Sequence, residues 1–223
     1  VVAMLALVFL LGSVLNNGLG AFSQTFLVID AKLDPAVLDK AGNRDVEEMK
    51  KVTTIGYGTF LKKALIAELD TKGVSTEGVS DKEIAGLLSK EAPSQLRDMV
   101  LANPGLLGQT IRFETYATGR VDGYFKGRVT MESAALDKNT SPEQLQLAER
   151  MREAGMLRTG FNLGFLLGPD ASELRPEAAG LGIAILGSAY LMILVPVLSP
   201  PIGVAASIYL EGFAPTDRFP ALH

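Results

Sequence analysis

The sequence predicts an α+β soluble domain held between two transmembrane α-helices, and three observations predict it. No Asp, Glu, Lys, Arg or His occurs from Val1 to Ile29 or from Ala178 to Leu210, so nearly all the charge lies between Asp30 and Glu177. An uncharged apolar run of 18 or more residues is long enough to cross a hydrocarbon core of about 30 Å, and both ends qualify. The polar middle carries both the alternating pattern of strands and the three-to-four-residue pattern of helices, with capping residues and turn residues between them.

Composition narrows the function classes. Mean hydropathy is positive, at +0.25, although 21% of the 223 residues are charged; apolar and charged residues are therefore segregated along the chain. A net charge of -4 without a basic cluster disfavours nucleic acid as a partner. The chain has no cysteine, which excludes disulfides, thiolate metal sites and a cysteine nucleophile.

The first segment, VVAMLALVFLLGSVLNNGLGAF, is expected to form a membrane helix over residues 1–22. Its Leu, Val and Phe residues each favour insertion by roughly 0.3–0.6 kcal/mol near a helix centre. Asn16 and Asn17 lie toward the end of the run, within reach of interfacial water, and Gly18 and Gly20 loosen the exit. The run lacks the basic start of a secretory signal and is longer than the usual apolar stretch of one, which favours an anchor.

Residues 23–176 form the expected α+β domain between the two spans. FLVIDAKLD, residues 26–34, reads as a strand stopped by Pro35, and helix follows from about Asp45 to Leu69 with a break or kink expected at Gly56 and Gly58. Ser80 and Glu83 have the spacing of a capping box, followed by Ile84, Leu87 and Leu88 as a buried stripe. Pro93 opens another helix, closed by Pro104-Gly105. TIRFETY, 110–116, alternates as a strand, and LRTGFNLGFLL, 157–167, predicts a longer one with Leu157, Thr159, Phe161, Leu163 and Phe165 on one face. Between them Ser141-Pro-Glu-Gln144 combines an N-cap, a first-turn proline and box spacing, with Gly155 at the far end of the helix.

Residues 177–213 form the second expected membrane helix, and 214–223 a short tail. A straight helix over 178–210 would be about 50 Å long, so bends are expected at Pro196, Pro200 and Pro201, each of which removes an amide donor. Freed carbonyls survive in lipid only beside neighbouring helices or water, so this helix expects partners. Gly180, Ala184 and Ser188, and again Gly203 and Ser207, recur every four residues as small-residue packing grooves.

Residue patterns for chemistry are sparse. His223 is terminal, Glu47-Glu48 beside Lys50-Lys51 reads as a solvated face, and Gly18-Leu-Gly20 lacks the strand and the lysine of a phosphate cradle. Gly168-Pro-Asp170 reads as a turn leaving the last strand. Arg112, Arg120, Lys126 and Arg128 either line an anion site or are surface cations, the second being the simpler reading. No metal or cofactor motif is found.

PIGVAASIYLEGFAP, residues 201–215, closely resembles the signature of the permease subunits of phosphate ABC importers, the PstA type in particular. GSAYLMILVPVLSPP, NGLGAFSQTFL, LRDMVLANPGLLGQT, YFKGRV and AGMLRTGFN resemble the proteobacterial variant that inserts a soluble domain between its first two membrane helices. The resemblance implies that Pro201 and Gly203 bend the first helix of the transport core, and that Tyr209, Leu210 and Glu211 form its cytoplasmic end. Gly212 and Ser207 depart from the acidic residue and the alanine of the pattern. The resemblance implies a place in the bacterial inner membrane, with residues 23–176 an extracytoplasmic, periplasmic domain and 214–223 a cytoplasmic tail, and a permease that performs no bond chemistry. Its implied partners are the lipid bilayer, a second permease subunit, ATP-binding subunits that hydrolyse the nucleotide, and a periplasmic phosphate-binding protein. The family continues through further membrane helices, so the chain is expected to be an amino-terminal fragment. A two-span extracytoplasmic sensor or scaffold is the alternative, and a permease for another solute a third reading.

Overall fold

A ten-residue strand, β1 (Ser23–Lys32), runs through the middle of a three-stranded sheet in the computed structural model, which describes residues 2–168, 170 and 176–212. Its odd-numbered residues Leu27, Ile29 and Ala31, with Leu33 beyond its end, are fully buried, while Asp30 and Lys32 are exposed, the alternation that a half-covered strand requires. Antiparallel strand β2 (Thr110–Tyr116) pairs on one side with Ile29 opposite Phe113, and β3 (Leu157–Phe161) on the other with Leu27 opposite Leu157. The sheet order is thus β2-β1-β3.

The helices follow in chain order. Helix α1 (Val2–Gly18) continues into a 3-10 turn (Leu19–Phe22) that leads directly into β1. Short helices α2 (Pro35–Leu38) and α3 (Val46–Met49) start at the side-chain caps Asp34 and Asp45. Helix α4 (Thr54–Thr71) sends Tyr57, Phe60, Leu61, Leu65 and Leu69 into the core. The expected glycine break is not there. The chain interrupts its helix at residues 50–53, and Gly56 and Gly58 lie inside the first turns of α4. Their missing side chains serve packing: a Cβ on Gly58 would stand 3.5 Å from the Pro93 ring and one on Gly56 only 2.9 Å from Val52.

Helix α5 (Asp81–Ala85) begins with the full Ser80–Glu83 capping box, and Ile84, Leu87 and Leu88 are buried as the sequence predicts. Helix α6 (Ala92–Ala102) carries Pro93 in its first turn and ends before Pro104. Helices α7 (Gly119–Phe125), α8 (Met131–Ala135) and α9 (Pro142–Glu153) follow β2. Ser141 caps α9, but the expected reciprocal box is absent: Gln144 Nε2 donates instead to the Glu83 carbonyl at 2.6 Å, docking α9 onto α5. Gly155, at φ 74°, turns the chain from α9 into β3.

The last predicted strand is half as long as expected. Asn162 leaves the sheet and accepts from the Phe165 amide at 3.0 Å, starting helix α10 (Leu163–Leu167). Thr159 and Phe161 are exposed rather than buried, so the expected apolar face does not form. Gly168 consequently ends a helix and not a strand; Pro169 lies outside the described residues.

Helix α11 (Gly182–Gly212) extends for 31 residues after a 3-10 turn at Pro176–Ala178, so it starts five residues later than predicted. It is not broken at Pro196, Pro200 or Pro201, all three of which lie inside it. Helices α1 and α11 are long and apolar enough to cross a membrane, and neither is buried in the rest of the protein. A mixed α+β unit with a small sheet therefore lies between two candidate spans. The predicted tail at 214–223, His223 included, falls outside the described residues.

Candidate functional site

Backbone-to-backbone contacts build the junction between the sheet and the two apolar helices. The Asn162 amide donates to the Phe22 carbonyl at 2.8 Å, tying the end of β3 to the turn after α1. The Phe22 ring stacks on Phe161 and meets Phe165 edge-on, with centroids 6.4 and 5.4 Å apart. On the other side, the Leu181 amide donates to the Phe165 carbonyl at 2.7 Å and the Gly182 amide to the Gly168 carbonyl at 3.1 Å. Helix α10 is thus the piece that joins the start of α11 to the end of α1.

Glycine makes this approach possible. A Cβ on Gly180 would stand 2.5 Å from the Gly168 carbonyl oxygen, and one on Gly182 2.6 Å from the Leu167 carbonyl oxygen. Gly180 therefore departs from its predicted role. It precedes α11, so it cannot share a helical groove with Ala184 and Ser188, and its small size serves the close contact with Gly168 instead. Tyr116 closes the junction from the sheet side, its Oη occupying the space where a Gly164 side chain would be. Burial pushes the Tyr116 hydroxyl above its ordinary pKa, and the Glu91 carboxylate adds to the shift.

The other predicted permease residues all lie on α11. Pro201, Gly203, Tyr209, Leu210 and Glu211, with Ala184, Ser188 and Ser207, are exposed along its length. Gly203 helps to line a shallow apolar groove of about 480 Å³ with Leu194, Val195, Leu198, Ser199 and Ile202. Because proline has no N–H, the carbonyls of Met192, Pro196 and Val197, four residues before each proline, lose their usual helical donors. Among the described residues nothing packs on this part of the helix.

The four cations weighed as an anion site do not converge. Arg120 pairs with Asp137 at 2.6 Å, Arg112 stands opposite Asp30 in the sheet register, and Lys126 pairs with Asp122 at 2.5 Å. Arg128 instead reaches the turn after α1, 3.9 Å from the position of a Gly20 Cβ. Glu47 and Glu48 form exposed pairs with Lys50 and Lys51, as a solvated face should.

Three structural carboxylates escaped the sequence reading. Asp122 accepts from the Thr25 amide at 2.9 Å as well as from Lys126, fastening α7 to the start of β1. The four-residue spacing of Asp122 and Lys126 is the signal that could have found this pair. Glu68, nearly buried on α4, accepts from the Asp30 amide at 2.9 Å and from Lys72 at 3.1 Å. Glu149 accepts a 2.5 Å hydrogen bond from the Tyr124 hydroxyl, which raises the tyrosine pKa, helped by desolvation. Each ties one element to another, and none faces a shared cavity. The described residues contain no group of three His, Asp or Glu side chains able to hold a metal ion.

A family model described as a domain of unknown function, DUF3333, matches residues 1–135. The chain belongs to the DUF3333 family. The DUF3333 match runs from α1 to the end of α8 and so takes in β1 and β2 but not β3, α10 or α11. The folded unit nevertheless extends past it, since β3 completes the sheet and α9 contributes Leu147, Ala148 and Met151 to the core. Neither a curated protein nor a solved structure matches the DUF3333 chain.

Proposed function

We propose that the chain is part of the membrane-spanning permease subunit of an ATP-driven phosphate importer. In this reading α1 and α11 cross the inner membrane, the α+β domain stands on the periplasmic side, and α11 belongs to the translocation unit. The observation that carries the reading is α11 itself. Its apolar surface is bare from end to end, and its three prolines free carbonyls beside a groove that includes Gly203. Such a helix is stable in lipid only when other helices or ordered water satisfy those carbonyls, which is what a multi-helix transport core supplies. The resemblance of residues 201–215 to the phosphate permease signature adds the solute class.

The chain would then catalyse no bond cleavage. Its partners would be a second permease subunit, ATP-binding subunits and a periplasmic phosphate-binding protein, and Tyr209, Leu210 and Glu211 would lie at the cytoplasmic end of α11. Deleting the full gene should abolish high-affinity phosphate uptake, and restoring the gene should recover it. A reporter enzyme fused within residues 120–140 should be active only outside the cytoplasm. Unchanged uptake for phosphate on deletion, or a cytoplasmic reporter, would contradict the reading.

A two-span sensor or scaffold is the second reading, favoured by the separate core of the domain between the candidate spans. In that case deletion leaves solute uptake intact and alters a downstream response.

A further inference from the structure

Helix α10 has two faces that differ in what covers them. Gly164 lies against Tyr116 Oη and Phe165 against the Phe22 ring, so these residues point into the junction. Leu163 and Leu167, four residues apart and hence on one side of the helix, are 58% and 75% exposed. Beside them Phe161 is 63% exposed and Leu19, in the turn after α1, 62%. Four large apolar side chains therefore stand bare in the collar where both apolar helices leave the sheet. A soluble domain seldom leaves such a contiguous patch in water.

The collar is continuous with the surfaces of α1 and α11 through the turn at Leu19–Phe22 and the hydrogen bonds of Leu181 and Gly182 to α10. A cation stands at the same level. Arg128 is exposed, forms no ion pair with any described residue and lies beside Gly20, which suits a lipid phosphate.

We infer that α10, with Phe161 and Leu19, forms a lipid-embedded collar: the base of the domain rests in the bilayer interface through Leu163 and Leu167, with Arg128 at the headgroups. This inference rests on the reading of α1 and α11 as membrane spans. The collar fixes the height and tilt of the domain over the membrane, because α10 is hydrogen-bonded to the first residues of α11 and cannot move independently of it. The occupant is the lipid surface itself, with acyl chains against the leucines and phosphate against the guanidinium.

The chain contains no tryptophan, so a single introduced one reports its own depth. Full chains carrying Leu167→Trp, Leu163→Trp, Leu194→Trp in α11, or Val37→Trp just past the far end of β1 are reconstituted into phosphatidylcholine–phosphatidylglycerol vesicles. The phosphatidylcholine carries brominated or unmodified acyl chains. The ten residues of β1 separate residue 37 from the collar by about 30 Å. Bromolipid should strongly quench and lipid should blue-shift the emission from positions 163, 167 and 194, and position 37 should be unaffected. Quenching at 194 without quenching at 163 and 167 overturns the collar while leaving the spans intact. No quenching at 194 overturns the span reading and the collar together. Quenching at 37 equal to that at 167 overturns the placement of the collar as the base of the domain.

Discussion

Replacing Asp122 by alanine should destabilise the domain more than its place on a seven-residue helix suggests. The carboxylate and the Lys126 ammonium are about nine-tenths buried, at 9% and 11% side-chain exposure, and their 2.5 Å contact is the only ion pair of Lys126 among the described residues. The second carboxylate oxygen accepts the Thr25 amide at 2.9 Å, at the first turn-free residues of the central strand. Removing one partner of a buried pair costs about 3–5 kcal/mol, because the remaining charge is left unpaired in a poorly solvated site. The stranded Thr25 amide contributes to that loss. For a domain of this size the cost corresponds to a fall in Tm of roughly 6–20 °C. Thermal unfolding of the full chain in detergent micelles, followed by the near-ultraviolet circular dichroism of Tyr57, Tyr116 and Tyr124, measures it. Asp122→Asn combined with Lys126→Met should recover most of the stability, since the amide oxygen still accepts from Thr25 and no charge is stranded. An Asp122→Ala protein that melts within 2 °C of the parent, or a double variant no better than the single one, would refute the reasoning.

Two further outcomes follow from the site geometry. Glu83 accepts from the Ser80 hydroxyl at 2.7 Å, the Ser80 amide at 2.8 Å and the Ser141 hydroxyl at 3.0 Å, and these bonds, the Ser80 hydroxyl foremost, hold its pKa below the ordinary 4.5. A depressed carboxylate contributes stability that is present above its unfolded pKa and lost as pH falls through the folded value. Glu83→Gln keeps an oxygen that can accept from Ser80 but removes the charge at the start of α5, so it should be less stable than the parent at pH 7 by roughly 0.3–1 kcal/mol, and the difference should close as pH falls below the ordinary carboxylate range of about 4 in thermal melts. Gly164→Ala places a methyl group on top of Tyr116 Oη, so either α10 or the tyrosine must shift. Limited proteolysis should then cut residues 162–168 faster than in the parent, whereas Gly105→Ala, with open space around its Cβ and no left-handed backbone, should leave that segment unchanged.

Local rules were legible and tertiary ones were not. The Ser80 box satisfies amides of its own first turn, and the proline in the first turn of α6 removes an amide that would have no helical partner, so both can be read from spacing alone. The Asp34 and Asp45 caps are not legible in this way, since Asp34 reads as the end of a strand. The boundary of the last strand could not. Residues 157–165 alternate in size, which suits a strand, but Asn162 also offers a cap and Gly164 offers the one side-chain-free position that fits under Tyr116. The second requirement comes from β2, some fifty residues earlier in the chain. Gln144 has the spacing of a capping box yet donates to the Glu83 carbonyl, because α9 packs on α5 and that carbonyl needs a partner. The two apolar ends were evident from charge segregation, but the clasp between them depends on Gly168 meeting Gly180 across a segment whose path no periodicity encodes.

The central claim is that lipid is the native surrounding of α1 and α11 and water that of the domain between them. A chain without cysteine allows a direct measurement, with single variants Leu7→Cys, Leu194→Cys and Leu136→Cys in sealed membrane vesicles and a water-soluble maleimide. Leu136, exposed on the domain, should react in vesicles whose orientation presents it, and Leu7 and Leu194 should react only after detergent is added. Prompt reaction of Leu7→Cys and Leu194→Cys in intact vesicles, at the rate of Leu136→Cys, would contradict the account.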